Sequence, residues 1–116
     1  MGAGSCVFCK IAHKQIPARI VFENDRVLAF EDATPQAPVH ILVIPKAHIE
    51  KTSDLASADI PMVGELVLVA KDLAQQRNID QSGYRIVLNC NRDAGQEVFH
   101  IHLHMLGGRK FSWPPG

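Results

Sequence analysis

At 116 residues the chain is long enough for one domain with one hydrophobic core and too short for two. Hydrophobic residues make up 47% and charged residues 21%, ordinary values for a globular protein. Twelve basic residues balance twelve acidic ones, which argues against a nucleic-acid partner or an anionic membrane. The longest apolar run, around Ile41 to Ile44, is far below the ~20 residues that cross a bilayer.

Residues 1–5 are expected to be a flexible N-terminus without the basic-then-apolar layout of a signal peptide. Cys6, Cys9 and Cys90 are an odd number, which favours reduced thiols or metal ligation in the cytoplasm over a disulfide framework. From Cys6 to about His13, a short helix can place Val7, Phe8, Ile11 and Ala12 on one face. Pro17 breaks it. Residues 19–23 and 26–31 read as two strands joined by a turn at Asn24-Asp25.

Pro35 and Pro38 bracket a loop. Val39 to Ile44 follows as a third strand, apolar on both faces and therefore central. Ser53 to Ser57 offer N-caps, and Pro61 suits a first helical turn. Val63, Leu66, Val67, Ala70, Leu73 and Ala74 then recur at helical spacing, with a stop at Asn78. Residues 84–89 form a fourth strand, residues 91–96 a polar loop, and the segment around His100 a fifth strand. The tail, 111–116, carries the only tryptophan, Trp113. There is no internal repeat. Consecutive strands with short links imply an α+β fold: a five-stranded antiparallel sheet with one long and one short helix, the helices on one face.

The chemistry is concentrated in the fifth strand. His100, His102 and His104 alternate with Ile101, Leu103 and Met105. Strand period two places the imidazoles on one face, about 6.8 Å apart, and the apolar residues on the other. A helix would instead turn His102 about 200° away from its neighbours. One histidine is usually structural; a row of three points to metal ligation or to nucleophilic catalysis with flanking proton handlers.

His100-Ile101-His102-Leu103-His104-Met105-Leu106 resembles the histidine-triad motif. Ile16-Pro17, residues 29–32 and 35–38, His40 and residues 43–46 resemble the nucleotide-binding branch of that superfamily. So do residues 83–85, Gly95-Gln96, residues 106–109 and residues 113–116. The likeness spans residues 7–116. It implies a homodimer whose sheets join across the interface and a hydrolase of purine nucleoside phosphoramidates, including aminoacyl-adenylates. Alternatives are a purine-nucleotide-binding adaptor with incidental catalysis, a zinc hydrolase using the histidine row, and a dinucleoside polyphosphate hydrolase.

By that resemblance His102 is the nucleophile, forming a nucleotidyl-histidine, with His104, His100 and His40 around it. His104 would donate to phosphate or leaving group. His40 could steady that network or simply be a buried, paired histidine. Backbone donors from Gly95 through Gln96, Glu97 and Val98, with the Asn89 amide, would cradle phosphate. Asp32 resembles a ribose-binding carboxylate, although alone it would read as a turn residue. Phe8, Ile11, Phe30 and Leu42 resemble the apolar base slot, and are otherwise core. Trp113 would reach the partner subunit's site, or else pack on its own subunit. Catalysis would need no cofactor. Cys6, Cys9, His48 and His100 would make a structural zinc site, the alternative being free thiols. Cys90 reads as a small core residue. Glu97 and Ala33 depart from the family pattern, which puts leaving-group preference and pocket fit at issue.

Overall fold

Five strands pair into one antiparallel sheet in the order β1-β2-β3-β5-β4. They are β1 (Ile20–Glu23), β2 (Val27–Glu31), β3 (Val39–Pro45), β4 (Tyr84–Leu88) and β5 (Leu103–Gly107). Two α-helices complete the layers, α1 (Val7–Ala12) and α2 (Ile60–Gln76). The structure, a computed structural model, describes residues 3–116. Ala3–Ser5 forms a 3-10 turn, and the flexibility expected of residues 1 and 2 lies outside the described residues. Among the described residues no helix is long and apolar enough to cross a membrane.

The apolar strand 39–44 is indeed central, and its two faces explain the layering. Ile41 and Val43 join Val27, Ala29, Leu103 and Met105 in a cluster closed by Leu66, Val69, Ala70, Leu73 and Ala74 of α2. The alternate residues Leu28, Phe30, Leu42 and Ile44 pack instead with Phe8, Cys9 and Ile11 of α1. The helices therefore cover opposite faces, not one as the sequence led us to expect. Strands apolar on both sides need a cover on each. Burying each large aliphatic side chain contributes about 1.5–3 kcal/mol.

Helix α2 starts one turn after the N-cap candidates, behind Asp59, whose carboxylate accepts the Ala56 N–H at 2.8 Å. It stops at Arg77, and Asn78 then adopts φ 59°. Val67 is 40% exposed and Val69 takes its expected place in the core. The hairpin is tied to α2 by a bidentate bond, Arg26 Nε to Glu65 Oε1 at 2.9 Å and Nη2 to Oε2 at 2.8 Å.

The fifth strand is shorter than its histidine pattern. It begins at Leu103, so of the three histidines only His104 lies in the ladder, opposite Leu42 of β3 and Val87 of β4. His100 is drawn out of register into the core beneath α1. Its Nε2–H donates to the Pro45 carbonyl at 2.7 Å, and the next amide, Ile101 N–H, donates to Ile49 O at 2.8 Å. The alternation nevertheless persists, with Ile101, Leu103 and Met105 buried on the α2 side.

Candidate active site

A cleft of about 710 Å³ opens over the α1 face of the sheet. Phe8, Ile11, Phe30 and Leu42 line it and also belong to the α1 core. Phe8 meets Phe30 edge-on at 5.4 Å between centroids and His102 edge-on at 5.0 Å. Asp32, His40, His102, His104, Asn89 and Glu97 supply the polar wall.

His102 Nδ1 lies 2.8 Å from the His100 carbonyl oxygen. A carbonyl only accepts, so Nδ1 carries the proton and Nε2 keeps its lone pair. Burial lowers the His102 pKa, outweighing the backbone acceptor and Asp32, which favours this neutral form.

His104 and His40 form a second unit. His40 is 6% exposed, and its Nδ1 accepts the Gln36 main-chain N–H at 3.0 Å. Its Nε2 must then hold the proton, which it directs to His104 Nδ1 at 2.9 Å. Asp32 Oδ2 stands 3.4 Å from the same His40 nitrogen. Desolvation lowers the His40 pKa against the pull of Asp32. For His104, burial first and then the neighbouring His102 and His40 push the pKa down to about 4. Asp32, His40 and His104 have their donor atoms within metal-ligand range. The proton order makes them a hydrogen-bond chain, because His40 could ligate through Nε2 only by losing its one ring proton.

The cluster beside α1 has the opposite chemistry. Cys6, Cys9, His48 and His100 bring one donor atom each within 4.8 Å of one another. Cys6 Sγ is 3.4 Å from His100 Nδ1, and Cys9 Sγ is 3.2 Å from His48 Nδ1. Because His100 Nε2–H is spent on Pro45 O, its Nδ1 lone pair faces the sulfurs. Burial and the adjacent Cys6 push the Cys9 thiol up to about 11. His48 Nε2 is buried without a partner. Two sulfurs and two imidazole nitrogens so disposed fit a tetrahedral zinc ion. His100 thus belongs with this cluster and not with the cleft, which none of its atoms line.

Several expected site residues act differently from their sequence reading. Gln96 does not line the cleft. Its buried amide braces the loop, accepting from Asn91 N–H at 2.8 Å and donating to Glu50 O at 2.8 Å and Val98 O at 3.1 Å. Gly95, at φ 83°, gives its own N–H to Arg92 O, and Gln96 gives its N–H to Asn91 O. Of the expected phosphate donors, Gly95 and Gln96 thus spend their N–H groups within the loop. Asp32 serves its turn as well, accepting Thr34 N–H at 2.8 Å. Trp113 is 82% exposed and lies apart from its own chain's cleft, so packing on its own subunit does not hold. Cys90 is half-buried beside Ser53 Oγ at 3.3 Å, not in the core. No motif marks the Gln36 amide or the Pro45 and His100 carbonyls, since main-chain groups carry no residue signature.

Strand β5 and the residue before it present His104 and His102 to an open cleft, with His100 turned behind it, the arrangement of the histidine-triad class. The chain matches the family described as "Scavenger mRNA decapping enzyme C-term binding" over residues 5–112. It is 48% identical over 114 residues to an uncharacterised HIT-like protein of Synechocystis, covering 98% of this chain and 99% of that one. The crystal structure of a HIT family hydrolase from Legionella pneumophila superposes with a TM-score of 0.95 at 51% identity, covering 97% of this chain and 100% of that one. The histidine triad nucleotide-binding protein of Candida albicans superposes at 0.81 with 30% identity, covering 95% and 83%. The chain belongs to the HIT superfamily and has the fold of its hydrolases.

Proposed function

We propose that the protein hydrolyses purine nucleoside phosphoramidates of the AMP–amine and aminoacyl-adenylate type through a nucleotidyl-histidine on His102. The observation that carries this reading is the His102 tautomer: Nδ1–H is held on the His100 carbonyl at 2.8 Å, leaving the Nε2 lone pair for the cleft. Nε2 attacks the α-phosphorus; in an AMP–amine the P–N bond breaks as the amine takes a proton from solvent, and in an aminoacyl-adenylate the P–O bond breaks and the amino acid leaves as its carboxylate. Water then cleaves the nucleotidyl-histidine and returns a proton, giving AMP.

His104, accepting at Nδ1, donates Nε2–H to a phosphate oxygen. The Glu97 and Val98 amides and Asn89 complete the cradle, Asp32 accepts from the ribose hydroxyls, and Phe8, Ile11, Phe30 and Leu42 enclose the base. Cys6, Cys9, His48 and His100 hold a structural zinc, which would pin α1 to the segment before β5. No cofactor takes part in the chemistry.

The same reading makes the protein a cytoplasmic homodimer. Edge strand β4 exposes Ile86 and Leu88, each 37%. Their register opposite Met105 and Leu103 places them on the α2 side of the sheet. There α2 exposes Ile60, Val67 and Leu68. Such a face, next to an unpaired strand edge, suits a second copy.

Turnover of AMP–lysine-type amides, diadenosine polyphosphates and ADP on one preparation tests the substrate. The amides should be turned over fastest. Faster cleavage of diadenosine polyphosphates would assign the chain to that chemistry, and tight AMP binding with no turnover would make it an adaptor.

A further inference from the structure

The loop between β2 and β3 reaches the histidines from behind, and the chain beyond β5 holds that loop. Gln36 is the junction. Its N–H donates to His40 Nδ1 at 3.0 Å, and its carbonyl accepts Arg109 Nε at 3.1 Å. Its side chain donates to Thr34 O at 3.0 Å, closing the loop on itself. Arg109 is in turn oriented by two contacts, Nη1 to Lys110 O at 3.2 Å and its guanidinium 4.3 Å from the Phe111 ring centroid. Arg85 of β4 stands 5.1 Å from the same ring and donates to Ser112 O at 3.0 Å. Two arginines thus hold Phe111, and one of them holds Gln36.

Donor and acceptor roles along this path are forced at its start. A peptide N–H can only donate, so His40 accepts at Nδ1 and carries its proton on Nε2. His104 then accepts at Nδ1 and carries its proton on Nε2. If the Gln36 amide moves away, only the Asp32 carboxylate, 3.4 Å from His40 Nε2, still favours the present order, and both rings gain access to the other tautomer. The cleft would then meet a lone pair where it now meets a donor, facing phosphate oxygens that also carry lone pairs.

We infer that Arg109 is a positioning residue that fixes the tautomers of His40 and His104 through the Gln36 backbone. It does not line the cleft and acts through two hydrogen bonds and a ring pair. The catalytic consequence rests on the phosphoramidate reading; the tautomer order does not.

Two measurements keep the two apart. Imidazole nitrogen NMR of the intact, uniformly labelled protein near neutral pH should show both His40 and His104 protonated on Nε2. In Arg109→Ala the two rings should shift toward a mixture. The turnover number on an AMP–amine substrate should drop by roughly tenfold, as expected when a donor aimed at developing charge is misplaced. Affinity for AMP should stay within about twofold, since positioning acts in the transition state more than in binding. Arg109→Lys keeps one donor toward Gln36 O and should restore most of both signals. Protonation of His104 on Nδ1 in the wild type would overturn the path. Unchanged tautomers in Arg109→Ala would overturn the role of Arg109, whatever the kinetics. If the protein turns over no phosphoramidate, the NMR result still decides.

Discussion

His102 Nδ1 stands 2.8 Å from the carbonyl oxygen of His100, so a backbone atom two residues upstream determines which nitrogen of the proposed nucleophile is free. The same residue, His100, turns its ring the other way, to Cys6 and Cys9. His102→Ala removes the attacking atom while leaving Asp32, Asn89 and the base slot in place. Release of amine and AMP should fall about 10³-fold or more, as for other nucleophile deletions. AMP affinity by titration should change only severalfold. Turnover above a tenth of the wild-type rate would rule out the nucleophile.

The pH response of stability follows from His104. Its folded pKa, about 4, lies below the 6.5 of a free imidazole because burial and two neighbouring rings disfavour the charged form. Between these values the unfolded chain binds more protons at this residue than the folded one, so stability rises with pH there. The contribution is present above about 6.5 and is lost as pH falls toward 4. Urea midpoints for wild type and His104→Asn should converge between pH 6.5 and 4, because asparagine does not titrate there. Parallel curves across that window would show that His104 does not carry it.

The metal set allows a direct count. Protein purified without chelator should contain about one zinc per chain, and Cys9→Ser should lose most of it. Melting temperature should fall on chelation, since a ligand bound only by the folded state stabilises it. Below that temperature turnover should persist within a few-fold, because neither sulfur lines the cleft. Metal-free protein from zinc-replete cells would discard the ligand set. Loss of turnover in folded, chelated protein would revive metal-dependent hydrolysis.

Strand and helix identities were legible because both periods are strong in this chain. Val39 to Ile44 is apolar at every position but His40, and it occupies the middle of the sheet. The two-sided cover was implied by the same pattern, yet strand order alone does not say which helix takes which face. Two of the misassigned features depend on contacts distant in sequence. His100 leaves the row for Pro45, 55 residues away. Gln96 turns inward to Glu50, 46 residues away. No local periodicity encodes either. Val67 was misplaced for a simpler reason: one more apolar residue, Val69, was available at an adjoining helical angle.

Glu97 lines both the main cleft and a smaller hollow of about 120 Å³ that also touches His48 and Phe99. A carboxylate at that junction attracts a cationic leaving group and repels an anionic one, by about 1–4 kcal/mol at 4 Å depending on local screening. Glu97→Gln should therefore compress the preference for lysine-type over neutral or acidic amides, by up to about tenfold in kcat/KM at low salt. An unchanged ranking at low salt would place Glu97 outside the leaving-group region.

Trp113 offers a test of the dimer that its own cleft cannot. The ring is 82% exposed and does not line the pocket of its own chain, so any effect on catalysis must act through a second copy. Trp113→Ala leaves Phe111 between Arg85 and Arg109, and the tail anchor with it. The variant should alter the ranking among AMP–amine substrates more than the rate with the best of them. A charge placed on the exposed apolar face, Leu68→Asp, should yield monomers in sedimentation and the same altered ranking. Burying a lone carboxylate in such an interface costs several kcal/mol, enough to dissociate a dimer of ordinary size. A monomeric Leu68→Asp that keeps the wild-type ranking would confine the site to one subunit and leave Trp113 without a catalytic role.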